Sequence, residues 1–401
     1  MKILLLNQCF YPDVVSTAQH LTDLATELAA RGHEVTVVTS DRGYDEPGTR
    51  FKRHERWQGI EIIRIPSVSF GKQGRWRRAF NFASFLFVCS LRLLTLKRFD
   101  QTIALTSPPL ISFLAALFVK LKGGRFCFWV MDLNPDEAIA AGWLDEKSMT
   151  SRLLQRMLRY SFSAATQTIV LDRFMKERVI AKGAERVAIV PPWSHDDHVS
   201  YSEAGREAFR QRHGLRDKFV VMYSGNHSPC HPLDTLLEGA RVLEKRDEIV
   251  FCFVGGGSEQ AKVRESGLSN VMCLPYQPLD ELSSSLSAAD LHVVVMGEKF
   301  VGIVHPCKVY NILAVGAPAL YIGPEPSHVT DIHGQFLRAR HGDVDAVVAA
   351  ISEAMTNPTR KPVKNFSKQN LLSKLIALIE VNADLTDFLP DRYPARPSPG
   401  R

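Results

Sequence analysis

A strand–helix–strand pattern occurs twice in the sequence, and it limits the folds that the chain can adopt. In the first half, the apolar run KILLLN at 2–7 precedes leucines at helical spacing, a stop at Gly32 and the apolar run EVTVVTS. In the second half, KFVVMYSG, PLDTLLEGARVLEK and IVFCFVGGG repeat this order. Two strands joined by a helix form a parallel pair with a right-handed crossover. Both halves are therefore predicted to be α/β units.

The length of the chain favours two domains. At 401 residues it exceeds what one hydrophobic core usually organises. The halves are separated by VAIVPPWSHDDHVSY, in which a double proline ends a strand and a polar stretch begins. We place the boundary at residue 195, which gives an N-terminal domain at 1–195 and a C-terminal domain at 196–383. The Pro-rich tail at 384–401 is expected to be disordered.

Composition and charge exclude several classes of protein. The formal net charge is +6 and no basic run resembles a nucleic-acid-binding arm, so we expect no nucleic-acid partner. Seven cysteines without CxxC pairs argue against a disulfide framework and favour a reducing cytosol. The apolar run at the start is too short for a signal peptide. The turn after the first strand, NQCFYPDVVST, lacks the glycines of a dinucleotide site.

The segment HPCKVYNILAVGAPAL places a lysine where a helix normally disfavours one. Pro306 suits the first helical position and Gly316 the stop, so Lys308 falls in the first turn. That end of a helix is already electropositive, and a cation there costs roughly 0.3–1 kcal/mol. The free N–H groups of the turn and the lysine together favour a bound phosphate. The sequence therefore predicts an anion site at this helix start.

Two glycine turns are expected beside this helix start. Gly225 ends one predicted strand, and Gly255, Gly256 and Gly257 end the next. Such turns lie at the carboxyl edge of a parallel sheet, where ligands bind, and glycine allows close approach to the backbone. The alternative is that these glycines only make turns.

A zinc site is the other use considered for the polar residues of these turns. The candidate ligands are His227, Cys230, His231, His305 and Cys307. Their spacings match no common site, and a cation would be poorly placed beside an anion-binding lysine. We therefore expect no metal.

Residues 70–99 depart from the α/β rhythm. The segment holds seven basic residues and no acid, and its middle, 79–96, is almost wholly apolar. It is marginal in length for a membrane span and contains a charge, so we interpret it as an interfacial helix with Arg75, Trp76, Arg77 and Arg78 at the lipid headgroups. The alternative is a helix packed on the sheet with a basic, solvated end.

The order of motifs along the chain, to about residue 380, resembles the GT-B glycosyltransferases of the large retaining family four, especially those of bacterial capsule, O-antigen and exopolysaccharide assembly. The motifs are FYPD…LATELAARGHEVTVVTS, LTSPPL, WVMDLNPDEA, YSGNHSPCHPLDTLLEGA, FVGGG and HPCKVYNILAVGAPAL. The resemblance implies two Rossmann-like domains facing across a cleft. The C-terminal domain would hold a nucleotide-sugar donor and the N-terminal domain the acceptor.

The resemblance also implies a reaction. It predicts transfer of a sugar, with retention, from a UDP-type donor to a lipid-linked or polysaccharide-precursor acceptor at the cytoplasmic face of the cell membrane. In front-face displacement the leaving phosphate takes the acceptor proton, so no protein nucleophile is required. Helix N-termini and basic side chains neutralise the diphosphate in such enzymes, so no cofactor is expected.

On the donor side, the sequence departs from the family pattern. The family's diphosphate-binding arginine and lysine correspond to Asn226 and His231. Its two glutamates correspond to Ile303 and Asn311. Asn311 can still bond a ribose hydroxyl, whereas Ile303 cannot bind the sugar.

Lys308 thus becomes the main candidate for the diphosphate. Glu298 in the preceding loop is either a substitute for the lost carboxylate or a solvated side chain. Pro275 and Tyr276 resemble the segment that holds the base, and the alternative for Tyr276 is packing at a strand end.

On the acceptor side, the family's histidine–aspartate pair corresponds to Met131 and Asp132. Asp132 is, with the lysine above, a candidate catalytic residue, and its alternative role is a helix cap. Ser107 in LTSPPL, Asn134 and Asp136 are candidate acceptor contacts.

Two rival functions stay open at this stage. A sugar-nucleotide 2-epimerase on the same fold would need acid and base groups converging on the sugar. A non-catalytic, membrane-bound partner of a transferase would explain the missing charges.

Overall fold

The computed structural model describes residues 1–43, 48–68, 75–194, 199–332, 336–357, 360–361 and 366–380. Within these ranges the chain forms two domains, each a parallel sheet flanked by helices. The prediction of two Rossmann-like α/β units is confirmed. The predicted tail at 384–401 lies outside the described residues.

Among the described residues, the first domain comprises an eight-stranded sheet and six helices between residues 2 and 189. Its strands are β1 (Lys2–Leu6), β2 (Glu34–Ser40), β3 (His54–Trp57), β4 (Ile60–Ile65), β5 (Gln101–Ala104), β6 (Arg125–Trp129), β7 (Gln167–Val170) and β8 (Val187–Ile189). Its helices are α1 (Ser16–Ala30), α2 (Arg75–Thr95), α3 (Ile111–Lys122), α4 (Asp136–Ala140), α5 (Met149–Ala164) and α6 (Arg173–Ala181). The strand order is β3-β4-β2-β1-β5-β6-β7-β8, and β3 pairs antiparallel with β4.

The second domain is a six-stranded parallel sheet. Its strands are β9 (Phe219–Asn226), β10 (Ile249–Gly256), β11 (Val271–Leu274), β12 (Leu291–Val295), β13 (Ala319–Ile322) and β14 (Phe336–Ala339), in the order β11-β10-β9-β12-β13-β14. Its helices are α7 (Glu203–Arg212), α8 (Asp234–Val242), α9 (Gln260–Arg264), α10 (Leu282–Ser287), α11 (Lys308–Val315), α12 (His328–Asp331) and α13 (Val344–Thr356).

The unbroken apolar runs of the sequence become the central strands. In β1, Ile3 to Leu6 are fully buried, because helices cover a parallel sheet on both faces. β1 pairs with β2 on one side and with β5 on the other, so the chain changes winding direction between β1 and β5. The same change occurs between β9 and β12 in the second domain. Ligands bind at such switch points in open α/β sheets.

The last helix, α14 (Lys368–Glu380), returns to the first domain. Leu375 and Ile376 are fully buried in the first domain's core, and Glu380 bonds the His33 ring at 2.9 Å. Lys368 also pairs with Asp23 of α1 at 2.8 Å. The structure thus differs from the predicted division at 196–383, because the apolar face of α14 packs against α1 and not against the second sheet.

Helix α2 presents two apolar faces. Phe85, Cys89 and Leu93 are buried in the first core, as the packing alternative requires. Four further apolar side chains are exposed on the same helix, namely Phe80, Phe87, Leu91 and Leu94. Arg77 is exposed, whereas the side chains of Arg75, Trp76 and Arg78 lie outside the described residues. Within the described ranges, no helix has the length and apolar character to cross a membrane.

Candidate functional site

Helix α11 begins at the predicted lysine. Lys308 is its first residue and Cys307 its N-cap, and no side chain caps the N-terminus. Pro306 therefore precedes the helix instead of occupying its first position, which corrects the sequence prediction. Gly316 ends the helix in the left-handed conformation, as expected. The N–H groups of the first turn are thus not used by a capping side chain.

The ammonium group of Lys308 is buried, and no described carboxylate pairs with it. Its Nζ lies 3.7 Å from the centroid of the Tyr223 ring and has no hydrogen-bond partner among the described residues. Burial lowers the pKa of Lys308 to about 7. A buried cation without an acceptor is costly, and the aromatic face offsets only part of that cost. The geometry is suited to an anion that completes the site.

The glycine turns pack around this lysine. A Cβ on Gly225 would lie 3.1 Å from Lys308 Cε and 3.2 Å from Nζ, and Gly225 has φ of +133°. A Cβ on Gly255 would lie 2.2 Å from the Gly225 carbonyl oxygen. A side chain at either position would collide with these neighbours, so the close packing of β9, β10 and Lys308 requires glycine at 225 and 255. Gly256 lies beneath the ring of Tyr276.

Two neutral histidines line the same region. His231 Nδ1 bonds the Val295 carbonyl at 2.7 Å, and burial together with the Lys308 charge lowers its pKa to about 3. For the same reasons the pKa of His227 falls to about 4, and neither of its ring nitrogens has a partner among the described residues. Lys308, His227 and His231 thus form a basic cluster. Both imidazoles are neutral near pH 7, so the positive charge of the cluster belongs to Lys308, and a bound anion would favour that charge.

The remaining donor-side candidates differ in burial and position. The exposed ring of Tyr276 donates its hydroxyl to the Gly256 carbonyl at 3.1 Å. Pro275 and Asn226 are also exposed, and Asn311 is half-buried on α11. Glu298 is exposed in the 3₁₀ turn Glu298–Phe300, which precedes the loop that leads to α11.

Ile303 belongs to the contact between the domains. Its side chain is buried in the first domain's core, and its carbonyl accepts the Leu133 N–H at 2.9 Å. This contact explains an apolar residue where the family pattern has a glutamate. A carboxylate here would be buried among apolar groups.

A second contact ties the α11 loop to the first domain. His305 Nδ1 bonds Asp172 Oδ2 at 2.7 Å, and its Nε2 bonds the Tyr310 hydroxyl at 2.6 Å. Burial opposes ionisation of Asp172, but the hydrogen bonds from His305 and the Met175 N–H, together with the neighbouring imidazoles, outweigh it and lower the pKa of Asp172 to about 2. The Asp172–His305 pair therefore connects the loop after β7 in the first domain to the loop before α11 in the second domain.

The described residues contain one group of metal-ligating type, namely Asp172, His305 and His328. The His305 and His328 rings are stacked with centroids 3.8 Å apart, and both nitrogens of His305 are already bonded. His305 is the one member of this group that was among the five zinc candidates of the sequence.

On the acceptor side, Asp132 has an unusual protonation equilibrium. Burial, with the neighbouring charge of Glu137, raises the pKa of Asp132 to about 7. The N-cap of α4 is Pro135, so Asp132 does not have the capping role that was its alternative. Glu137 accepts a bond from Asn134 at 3.1 Å and lies 3.7 Å from Cys230 Sγ of the second domain.

The other acceptor-side candidates lie in different parts of the first domain. The Ser107 N–H donates to Asn7 Oδ1 at 3.3 Å, so Ser107 lies at the switch point of the first sheet. Asp136 pairs with Lys182 of the first domain at 2.9 Å, whereas the adjacent Glu137 contacts Cys230 of the second domain. Burial, together with the nearby Asp132 carboxylate, raises the pKa of Cys307 in the second domain to about 12, so Asp132 lies close to the contact between the domains.

Known proteins share this architecture and these motifs. The family model described as glycosyl transferase 4-like domain matches residues 17–193, and that described as glycosyl transferases group 1 matches residues 205–371. The chain belongs to the GT-B glycosyltransferases. The expectation of an enzyme of this class, stated from the sequence motifs, is confirmed.

Two curated relatives are similar in sequence. The putative colanic acid biosynthesis glycosyl transferase WcaI of Escherichia coli K12 is 27% identical over 405 residues, covering 94% of this chain and 99% of WcaI. The probable glycosyltransferase WbjE of Pseudomonas aeruginosa is 25% identical over 284 residues, covering 68% of this chain and 70% of WbjE.

Solved structures share the fold at low identity. Sucrose-phosphate synthase from Thermosynechococcus elongatus superposes with a TM-score of 0.72 at 13% identity, covering 94% of this chain and 98% of that one. Anabaena HepE in complex with UDP and glucose has a TM-score of 0.67 at 14% identity, with the same coverage. WaaG, of lipopolysaccharide biosynthesis, has a TM-score of 0.64 at 18% identity, covering 95% and 100%.

Several residues of the enzyme's site escaped the sequence analysis. Tyr223, Glu137 and the Asp172–His305 pair contact site residues from elsewhere in the chain. The position of Tyr223, two residues before Gly225 on a strand, was the available signal, because side chains two apart share a face. The Asp172–His305 pair had no such signal, since its residues are 133 positions apart.

Proposed function

We propose that the enzyme transfers a sugar, with retention of configuration, from a UDP-type donor to a lipid-linked or polysaccharide-precursor acceptor. The observation that carries the donor assignment is the buried Lys308 ammonium without a hydrogen-bond partner among the described residues. The printed role of WcaI in colanic acid biosynthesis supports a product of this class, and the UDP bound to HepE supports the donor.

The donor diphosphate would lie against the start of α11. Lys308 and the N–H groups after Pro306 would hold its charge, and Gly225 would allow close approach. His231 and Asn226 would line the same pocket. This arrangement neutralises the leaving group without a metal, so the proposal includes no cofactor.

The rest of the donor would extend outward from this point. The exposed Tyr276 ring beside Gly256 and Pro275 offers a surface for the base. Asn311 would bond the ribose, and Glu298 would bond a sugar hydroxyl. The glycine turn at Gly255 would face the diphosphate.

The acceptor would bind between Asp132 and the donor. In front-face displacement, the bond from the anomeric carbon to the phosphate oxygen breaks while the acceptor oxygen attacks on the same face. The acceptor proton passes to the leaving phosphate, which Lys308 stabilises. Asp132, whose pKa is about 7, would orient the acceptor hydroxyl by a hydrogen bond, with Ser107 and Asn134 nearby.

A membrane surface would deliver a lipid-linked acceptor. The exposed apolar side chains of α2 follow helical spacing on one face, namely Phe80, Phe87, Leu91 and Leu94. Together with Arg75, Trp76, Arg77 and Arg78, they form a basic amphipathic helix suited to lying in a headgroup layer. The proposal places the enzyme on the cytoplasmic face of the cell membrane as a peripheral protein.

Calorimetry with Lys308→Ala tests the donor assignment. The substitution is expected to weaken UDP binding by about 10- to 150-fold, because a charge-assisted contact carries roughly 1.5–3 kcal/mol. Uridine binding should change little. Lys299→Ala, an exposed lysine in the neighbouring 3₁₀ turn, is the matched control and should bind UDP like the unmodified enzyme.

Equal losses for UDP and uridine would contradict the assignment. Product analysis with UDP-GlcNAc and no acceptor addresses the rival activity: release of UDP together with an epimerised sugar would favour a 2-epimerase. A complete lack of nucleotide binding by the unmodified chain would favour a non-catalytic partner.

A further inference from the structure

A cavity of about 460 Å³ lies between α4, α5 and α6 of the first domain. This volume lies within the range of small-molecule sites. Its lining includes Arg152 and Arg159 of α5, Arg178 of α6, Lys182 and, from the second domain, Ile303. The donor-site lysine is not among its lining residues, so the cavity is distinct from the position proposed for the donor diphosphate.

One wall of the cavity is a neutral network. Lys182 Nζ contacts Asp136 Oδ1 at 2.9 Å and donates to Gln155 Oε1 at 2.8 Å. Gln155 Nε2 in turn donates to Asp136 Oδ2 at 3.0 Å. The charges of Lys182 and Asp136 therefore offset each other, and Asp136 is held by protein partners.

The remaining charged groups of the lining are mostly cationic. With the first pair offset, three guanidinium groups, those of Arg152, Arg159 and Arg178, face one exposed carboxylate, Glu146. Arg178 Nε donates to the Val301 carbonyl at 2.7 Å, which fixes its stem. Arg152 and Arg159 form no ion pair with any described residue. Guanidinium groups bind phosphate and carboxylate in a bidentate manner.

Helix α4 separates this cavity from the cleft between the domains. Asp136 lines the cavity, whereas the adjacent Glu137 reaches Cys230 of the second domain at 3.7 Å. An α-helix with side chains is about 10 Å thick. An anion in the cavity would thus lie within about 10 Å of the cleft, a distance that one or two sugar rings span.

We propose that this cavity binds an anionic group of the acceptor, held several bonds from the hydroxyl that receives the sugar. The proposal rests on the proposed function, in which the first domain holds the acceptor. Two sources share the required chemistry. One is the diphosphate that links a glycan to its lipid, and the other is the carboxylate of an acidic sugar.

Inorganic pyrophosphate is the probe for a calorimetric test. It is titrated into the full chain saturated with UDP, so that the donor site is filled. The unmodified enzyme should bind it, and Arg152→Gln/Arg159→Gln should weaken binding by about tenfold or more. Arg156→Gln, an exposed arginine of α5 that does not line the cavity, is the matched control and should bind as the unmodified enzyme does.

Equal pyrophosphate binding by the double variant and the unmodified enzyme would overturn the proposal, as would no binding by the unmodified enzyme at millimolar concentration. All three substituted arginines are exposed, and melting temperatures of the variants check that they fold. A parallel titration of Lys308→Met without UDP keeps the two proposals apart. If Lys308→Met still binds pyrophosphate, and the triple variant that also carries Arg152→Gln and Arg159→Gln does not, then the pyrophosphate site is the cavity. This holds even if UDP does not bind.

Two further titrations distinguish the sources of the anion. Geranyl diphosphate represents the lipid diphosphate, and the methyl glycoside of glucuronic acid represents an acidic sugar. If binding of geranyl diphosphate depends on Arg152 and Arg159, the lipid diphosphate is the source of the anion. If binding of the glucuronic acid glycoside depends on them, the acidic sugar is the source. Dependence of neither on these arginines would refute an acceptor role.

Discussion

Binding of UDP at pH 8 should draw a proton onto Lys308. Burial lowers the pKa of this lysine to about 7, so only about one tenth of the free enzyme carries the charge at pH 8. A diphosphate beside Nζ favours the ammonium form and raises its pKa back toward the ordinary lysine value of 10.5. Binding should therefore take up about 0.9 proton at pH 8, where the terminal phosphate of free UDP is already fully ionised.

Calorimetry in buffers of different ionisation enthalpy measures this uptake directly. At constant pH, the slope of observed against ionisation enthalpy gives the number of protons taken up. Lys308→Met should reduce the slope at pH 8 to near zero, while Lys299→Met should leave it unchanged. The histidines His227 and His231 do not account for the slope at pH 8, because their pKa values of about 4 and about 3 lie far below it.

Two results would refute the reasoning. A zero slope for the unmodified enzyme at pH 8 would mean that Lys308 is already charged or stays neutral when UDP binds. A slope that persists in Lys308→Met would place the titrating group elsewhere.

Three further predictions concern other parts of the enzyme. Asp132→Asn should lower kcat by about 10²-fold or more while UDP affinity stays within a factor of about two, and a matching loss of UDP affinity would exclude a role toward the acceptor. Phe87→Ser/Leu91→Ser should reduce co-sedimentation with anionic vesicles without lowering the melting temperature, because both side chains are exposed; unchanged co-sedimentation would argue against a membrane-binding helix. Asp172→Asn should destabilise the fold by about 3 kcal/mol or more at pH 7, measured by urea unfolding, because it breaks a buried pair. Folding lowers the pKa of Asp172 from 3.8 to about 2, so the stability that the pair contributes is complete above pH 3.8 and declines as the pH falls toward 2. A difference in unfolding free energy between the two proteins that does not shrink over that interval would contradict the pairing.

The periodic features of the chain were predictable from the sequence. Apolar runs such as KILLLN and KFVVMYSG became the central strands β1 and β9, because a parallel sheet buries both faces of its strands. The position of Lys308 at a helix start was also predictable, because Gly316 and the proline before the helix mark its ends. These signals are local, and each lies within a few residues of the feature it predicts.

Contacts between distant segments were not predictable in the same way. The return of α14 to the first domain depends on which apolar surface its Leu375 and Ile376 cover, and both domains offer one. The burial of Ile303 likewise results from the domain contact through Leu133. No local pattern encodes either choice.

The position of the Lys308 amine relative to bound UDP tests the central claim most directly. A crystal structure of the UDP complex should show Nζ within about 3.2 Å of a diphosphate oxygen. The α11 N-terminus should face the same group. An amine that remains over the Tyr223 ring while the diphosphate lies elsewhere would contradict the account.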